Sequence, residues 1–399
     1  MPGIAGRWDW HERSASVRDA PAPGIRQGQA RPWAGHEHIM PQLSLAGGAP
    51  TQPVERILIL RLSSIGDVVL VSPLLRVLRR HWPQAEIDFV VKAEFADLVQ
   101  HNPHLDAVHV VHTAERLAGL QRLREKLASR RYQVVLDLHK NFRTQYLIGG
   151  LGAGQVLRYR KHVVRRWLHV KFKLDTMQPL PPIYLRYLQA AAALGVRDDG
   201  AGTELHWLPG HVQEAAHALA PASSDVNVPL IALAPGAGYF TKRWPPEYFA
   251  ELASRLIARD RECLIAVLGG EEDRAAGRQI AAVAGSRVID LTGRLSLLAA
   301  AVVLARSRLV VANDSGLMHM AEAVKTPVLM LAGSTTQALG FFPQRPESRV
   351  LENQALACRP CSHLGHAACP RRHFRCMRDL TPALALAELE RWLRPVPLR

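Results

Sequence analysis

Long apolar runs are missing from this 399-residue chain. No uninterrupted stretch reaches the ~18 residues a membrane-spanning helix needs. The best candidate, residues 297–311, is broken by Arg306 and Arg308, so any membrane contact is expected to be peripheral. No apolar core follows the charges at the N-terminus, so a secretory signal is not expected and the compartment reads as cytoplasmic. Cysteines are few, five in all, and without a signal they point to reduced thiols rather than a disulfide framework. Acid is scarce as well: 35 Asp and Glu stand against 50 Lys and Arg, a formal charge of +15. Residues 1–50 hold five Arg against two Asp and two Glu, only +1, so the basic excess belongs to the rest of the chain. Such a surface attracts nucleic acid, anionic membrane or phosphorylated substrates, and charge alone does not choose among them.

What is present is ordinary globular composition, 48% hydrophobic and 21% charged, at a length above the ~250–300 residues where one core stops growing. Two domains are therefore expected. Residues 1–54 are rich in Gly, Pro, Arg and Ala without a sustained period and read as a disordered extension; Met40 offers a possible later start. From Arg56 onward apolar runs alternate with helical stretches. Residues 57–60, 87–91 and 134–138 read as buried parallel strands, with a helix at 116–130 between the last two. A second series places strands at 230–234, 264–268, 308–312 and 328–331. The stretch 206–228, with Pro209, Gly210, Pro221, Ser223 and Ser224, suits an interdomain connection. Thr381-Pro382 opens a last helix, with Thr at the N-cap and Pro in the first turn. The expected fold class is α/β: a doubly wound domain at 55–205, another at 229–380, and a cleft between them.

Four loops, one basic stretch and one cysteine group carry chemical signals. In open α/β sheets ligands bind beyond the carboxyl ends of strands, which puts Ser63, Ser64, Gly66 and Asp67 of Arg61-Leu62-Ser63-Ser64-Ile65-Gly66-Asp67 in the cleft. Asp67 could take a proton from an acceptor hydroxyl or simply cap a helix. The loop 234–245 holds Gly236, Gly238, Thr241 and Lys242; small residues permit close backbone approach and Lys242 could neutralise a diphosphate, or the loop is an ordinary Gly-rich turn. It matches neither the P-loop nor the full G-x-G-x-x-G spacing. In Asn313-Asp314-Ser315-Gly316-Leu317-Met318-His319 a strand runs into a helix start, an anion site or a capping pair. Gly269-Gly270-Glu271 adds a carboxylate able to accept ribose hydroxyls. Residues 158–173 hold seven Lys or Arg, including Arg158, Arg160, Lys161, Arg165 and Arg166, and no acid. That stretch suits an anionic lipid surface, a nucleic-acid groove or a solvated basic helix. Cys358, Cys361, Cys369 and Cys376 fall within nineteen residues, a group open to either a structural zinc site or packed free thiols.

From about Arg56 to Asp379 these motifs resemble glycosyltransferase family 9, the ADP-heptose:lipopolysaccharide heptosyltransferases. The resemblance rests on Ser63 to Asp67, on Pro235-Gly236 through Lys242-Arg243-Trp244-Pro245, and on Asn313 to His319. It implies a GT-B fold, with two Rossmann-like domains facing a central cleft and a last helix, 381–399, crossing back to the N-terminal domain. By the resemblance Asp67 would be the general base. Gly238, Thr241, Lys242, Glu271, Leu295, Asp314, Ser315, Gly316 and His319 would bind the donor ADP-heptose. Ser63, Ser64, Gly66 and the basic residues of 158–173 would bind a phosphorylated lipid A-core acceptor at the cytoplasmic face of the inner membrane. No catalytic cofactor and no nucleic-acid partner are implied. Alternatives are a GT-B transferase with another nucleotide sugar or a protein acceptor and, more distantly, a non-catalytic polyanion- or membrane-binding protein.

Overall fold

The computed structural model describes residues 24–26, 54–178, 180–221 and 228–393. Two parallel sheets organise them. The first has five strands in the spatial order Ala107–Val111, Glu86–Lys92, Arg56–Leu60, Val134–Asp137, Gln155–Arg158. The second runs Ile25–Arg26, Arg349–Asn353, Val328–Ala332, Leu309–Asn313, Leu230–Ala234, Leu264–Val267, Val288–Asp290. Central strands read as continuous apolar runs because helices cover both faces: Ile57, Leu58, Ile59 and Leu60 are all fully buried.

In each sheet, setting aside the edge strand Ile25–Arg26, the chain starts in the middle, winds to one edge and returns to wind toward the other. The reversal lies between Arg56–Leu60 and Val134–Asp137 in the first sheet and between Leu230–Ala234 and Leu309–Asn313 in the second. The carboxyl ends of such strand pairs diverge and leave a crevice. Both crevices therefore open at the segments singled out above: Arg61 to Asp67 in one, Pro235 to Lys242 with Asp314 in the other.

The domains meet where the short helix Ile65–Val69 lies on Gly316–Ala323. Two glycines permit that approach. A Cβ on Gly66 would sit 2.4 Å from Cδ2 of His319, and one on Gly316 would sit 2.6 Å from Cβ of Ile65. Val68 and Val69 from one domain and Met318 and Met320 from the other consequently belong to one continuous core.

Two expectations need correction, and a third gains detail. Part of the N-terminal extension is ordered: Ile25–Arg26 pairs antiparallel with Arg349–Asn353, where an otherwise open sheet edge accepts it. The remainder of 1–53 lies outside the described residues. The stretch 206–228, read as an interdomain connection, contains the helix Pro209–Leu219; Pro209 occupies the first turn, where a missing N–H costs nothing, and Glu214 accepts from the backbone N–H and hydroxyl of Ser296, both at 2.7 Å. Finally, the helix Pro382–Leu393 packs on the second domain instead of crossing back. Its Leu384, Ala385 and Leu389 share a core with Phe249, Leu252 and Leu256, and Glu388 is buried in an ion pair with Arg349 at 3.3 Å. That apolar stripe and buried carboxylate have their partners in one domain only.

Candidate active site

Asp67 lies in the first turn of Ile65–Val69, directly beyond the central strand of the first sheet. Its Oδ2 is 2.6 Å from a guanidinium nitrogen of Arg61, and the Tyr187 hydroxyl donates to Oδ1 at 2.9 Å. The Ser64 hydroxyl lies 3.3 Å from Oδ2. Burial works against the charge on Asp67, but Arg61 and then Tyr187 outweigh it and hold the carboxyl below the usual carboxylate range. Asp67 is therefore ionised at neutral pH, and with 17% of its side chain exposed it is still reachable. Capping and proton acceptance are compatible here: the carboxylate closes the helix start and faces a cavity.

That cavity, of about 260 Å³, is lined by Asp67 together with Arg61, Lys161, Arg166 and Arg186, and by the aromatic Tyr159 and Tyr187. One acid thus faces four cationic side chains. Arg186 is buried, and its Nη2 has no hydrogen-bond partner, the condition of a donor waiting for an anion. Burial, followed by the nearby charges of Arg61 and Lys161, lowers the His139 pKa to about 4, so that imidazole is neutral at pH 7. Of the basic stretch, Lys161 and Arg166 reach the cavity, whereas Arg158, Arg160 and Arg165 are exposed and do not line it.

Across the domain contact the second crevice gathers the other motif residues. Lys242 Nζ is 2.7 Å from Asp314 Oδ2, and the Thr335 hydroxyl donates to the same oxygen at 2.7 Å. Burial again opposes the charge on Asp314, and Lys242 outweighs it to keep the pKa low. Ser315 caps the helix Gly316–Ala323, and its buried Oγ has no hydrogen-bond partner. Thr241 is buried, bonded to Ser334 Oγ at 3.1 Å and to the His366 backbone N–H at 2.8 Å, so it shapes the loop from behind. Gly238 faces open space, whereas a Cβ on Gly236 or on Gly269 would run into Asp273. Glu271 lies beside Gly293 and pairs with Arg274 at 2.7 Å, its side chain 73% exposed. Glu271 and the 292–295 turn that ends at partly buried Leu295 therefore share one end of the second sheet.

His319 joins the two crevices. It is buried, and its charged neighbours are Asp314, Asp67 and Lys242. Burial is the largest influence and lowers its pKa to about 4, so a neutral imidazole separates the two carboxylates. Arg61, Tyr187, Arg186 and His139 were not anticipated. Arg61 stood in the quoted motif and its charge next to Asp67 was a usable signal; Tyr187 and Arg186 reach the site from 120 or so positions away, and nothing local marks them.

The cysteines form no disulfide. Cys358 Sγ is 3.7 Å from His373 Nε2, and Cys369 Sγ accepts the Phe374 N–H at 3.4 Å. Among the described residues no three ligand atoms of this group converge to within 4.8 Å.

Comparison with known proteins gives a consistent picture. The family described as glycosyltransferase family 9 (heptosyltransferase) matches residues 120–369. Lipopolysaccharide heptosyltransferase 2 of Salmonella typhimurium is 28% identical over 70% of this chain and 83% of its own length. Lipopolysaccharide heptosyltransferase 1 of Pseudomonas aeruginosa is 26% identical over 77% of this chain and 86% of its own. The solved structure of E. coli ADP-heptose lps heptosyltransferase II superposes with a TM-score of 0.67 at 25% identity, covering 85% of this chain and 98% of that one.

Proposed function

The chain belongs to glycosyltransferase family 9, the heptosyltransferases, and is a glycosyltransferase of GT-B fold; from that premise we propose that it transfers heptose from ADP-L-glycero-D-manno-heptose to the lipopolysaccharide inner core, with inversion at the anomeric carbon. One observation carries this reading. An ionised carboxylate, Asp67, stands in a cationic cavity of one domain, directly across a glycine-mediated contact from the Lys242, Asp314 and Ser315 cluster of the other.

The reaction is a single displacement. The acceptor O–H bond breaks as its proton passes to Asp67, the oxygen bonds to the anomeric carbon, and the bond from that carbon to the diphosphate oxygen breaks to release ADP. Lys242, the Ser315 hydroxyl and the N-terminal amides of Gly316–Ala323 are placed to stabilise the negative charge that develops on the diphosphate. Arg61 and Tyr187 orient Asp67. Arg186, Lys161 and Arg166 suit phosphate or carboxylate groups of a lipid A-core acceptor. Glu271 suits the ribose hydroxyls, and Leu295 the adenine.

The acceptor is a lipid, and the surface beside the cavity supports work at the cytoplasmic face of the inner membrane. In the helix Val163–Phe172, Val163, Val164, Trp167 and Phe172 are 58%, 69%, 55% and 54% exposed, among Arg160, Arg165 and Lys171. Aromatic and basic side chains together suit an anionic headgroup layer. No helix among the described residues is long and apolar enough to cross a bilayer.

The test is transfer from ADP-heptose to a panel of Kdo-lipid A and heptosylated acceptors, read by mass spectrometry, with ADP and UDP binding measured by calorimetry. A gain of one heptose, with ADP bound in preference to UDP, supports donor and reaction and identifies the acceptor. Preference for UDP would instead favour a transferase of the same fold with another sugar.

A further inference from the structure

Away from the cleft, the loop before strand Ala107–Val111 meets the segment that leads out of the first domain. His104 comes from the loop; Glu204 and His206, two residues apart in a stretch without regular secondary structure, come from the segment. His104 Nε2 lies 3.1 Å from Glu204 Oε1, and His206 Nε2 lies 3.5 Å from the same oxygen. The His206 Nε2 is buried yet makes no hydrogen bond. The two imidazole rings stand edge to face with centroids 5.9 Å apart, and the Nε2 of each lies beside the same carboxylate oxygen.

We propose that His104, Glu204 and His206 form a binding site for a single divalent transition-metal ion, of which Zn²⁺ is the best match. Two imidazoles and one carboxylate are a donor set that Zn²⁺ accepts, with bonds of about 2.0–2.2 Å and a fourth tetrahedral position left for water. Such bonds place neighbouring ligand atoms roughly 3.3 Å apart, between the 3.1 and 3.5 Å observed here. The orphan nitrogen of His206 gains a partner when the ion binds.

The carboxylate is already oriented. Arg76 holds the other oxygen, Oε2, at 2.8 Å while it also grips Asp199 at 2.7 Å, and the Glu204 N–H donates to Ser72 Oγ at 3.0 Å. Outer partners of this kind fix a ligand before the metal arrives. Arg76 leaves Oε1 as the free ligand atom, facing the two histidines.

The neighbouring trio Asp97, His101 and His211 is a poorer candidate, and the difference is chemical. His211 Nδ1 already accepts the Leu208 N–H at 3.0 Å. In a neutral ring the proton is then on Nε2, the nitrogen facing Asp97, and that nitrogen has no lone pair for a metal.

The site lies on the connection between the domains. The second domain's Lys325 donates to the carbonyls of Ala201 and Thr203, both at 2.8 Å. An ion bound to His104 and to Glu204 and His206 would tie this connection to the first domain and stiffen the joint. The role is structural, and it does not depend on which sugar or acceptor the cleft takes.

The test is titration of chelator-treated, full-length protein with Co²⁺ as a spectroscopic substitute, followed by Zn²⁺ competition. Imidazole and carboxylate ligation gives visible d–d bands without the near-ultraviolet sulfur-to-cobalt charge-transfer band that binding at the cysteines produces. The expected result is one equivalent of Co²⁺ with nitrogen and oxygen character, displaced by Zn²⁺, accompanied by a rise in melting temperature. His104→Ala and His206→Gln should each weaken binding at least tenfold, and Cys358→Ser should leave it unchanged. Circular dichroism of the metal-free variants establishes that they fold. Absence of binding to the wild type, binding only with sulfur character, or unchanged binding in both folded histidine variants would each overturn the assignment. Because metal binding is read without turnover, these outcomes are separate from the fate of the proposed transfer reaction.

Discussion

Replacing Gly66 with alanine probes the contact on which the cleft geometry depends. The added Cβ would lie 2.4 Å from Cδ2 and 3.2 Å from Nε2 of His319. Carbon atoms in contact sit about 3.5–4.0 Å apart, so the shortfall is roughly 1 Å or more. The imidazole has little room to yield: it is buried, with Phe341 on one side at a ring distance of 6.2 Å. Overpacking of this size costs about 1–3 kcal/mol. Because the clash is between domains, the cost falls on the juxtaposition of Asp67 with the Lys242 cluster rather than on either domain's own fold. Converted to an equilibrium, that is about 5- to 150-fold, so kcat/KM for heptose transfer should fall within that range while ADP affinity changes little. Gly316→Ala acts on the same contact from the other side, 2.6 Å from Ile65, and the double variant should be less impaired than the product of the two single effects. Steady-state kinetics, calorimetry with ADP and thermal melts measure all three. Wild-type kcat/KM in Gly66→Ala, or a loss fully explained by global unfolding, would refute the reasoning.

Other consequences follow from the same structure. His319 titrates near about 4 when folded and near ~6.5 when unfolded. The unfolded chain thus binds the extra proton between these values, and stability is full above about pH 6.5 and declines as pH falls toward 4. The contribution is up to about 3 kcal/mol, and His319→Gln should flatten that part of a pH series of denaturant melts. Lys242→Met removes the counter-ion of buried Asp314; ADP binding by calorimetry should weaken at least tenfold, about 1.4 kcal/mol. Glu388→Ala leaves Arg349 buried without its ion-pair partner, a loss of about 3–5 kcal/mol. Thermal unfolding should show it in the second domain, which is where the final helix packs.

Much of this was readable because parallel strands buried on both faces announce themselves. Residues 57–60 and 230–234 are apolar without interruption, and the motifs directly after them had to lie at carboxyl ends. Strands without that signature were missed. Ala107–Val111 carries buried His109, which pairs with Asp88 at 2.9 Å. Gln155–Arg158 is a short, half-exposed edge. Arg349–Asn353 is buried although three of its five residues are polar, because Arg349, Glu352 and Asn353 find partners in Glu388, Arg359 and Asp379. Those pairings are tertiary and leave no local trace. The helix Pro209–Leu219 was hidden by its own start, since Pro-Gly reads as a break until a partner, here Ser296 bonded to Glu214, is known.

At the site the same distinction holds. Asp67, Lys242, Asp314 and Ser315 were visible as short motifs after strands. The groups that set the charge and reach of Asp67 were visible only in part: Arg61 sits six residues before it, but Tyr187 arrives from a distant helix. The basic stretch was read as one unit, yet the chain divides it. Tyr159, Lys161 and Arg166 turn into the cavity, whereas Arg158, Arg160, Arg165, Trp167 and Phe172 are exposed and do not line it.

The central claim is that Asp67 accepts the acceptor's proton across the cleft from the Lys242 cluster. The most direct measurement is heptose transfer by wild type and by Asp67→Asn, an isosteric change that preserves hydrogen bonding to Tyr187, with ADP binding measured on both proteins. Loss of turnover by ~100-fold or more, in keeping with general base catalysis, together with unchanged ADP affinity is the expected result. Wild-type turnover in the folded Asp67→Asn protein would remove Asp67 from the reaction and contradict the claim.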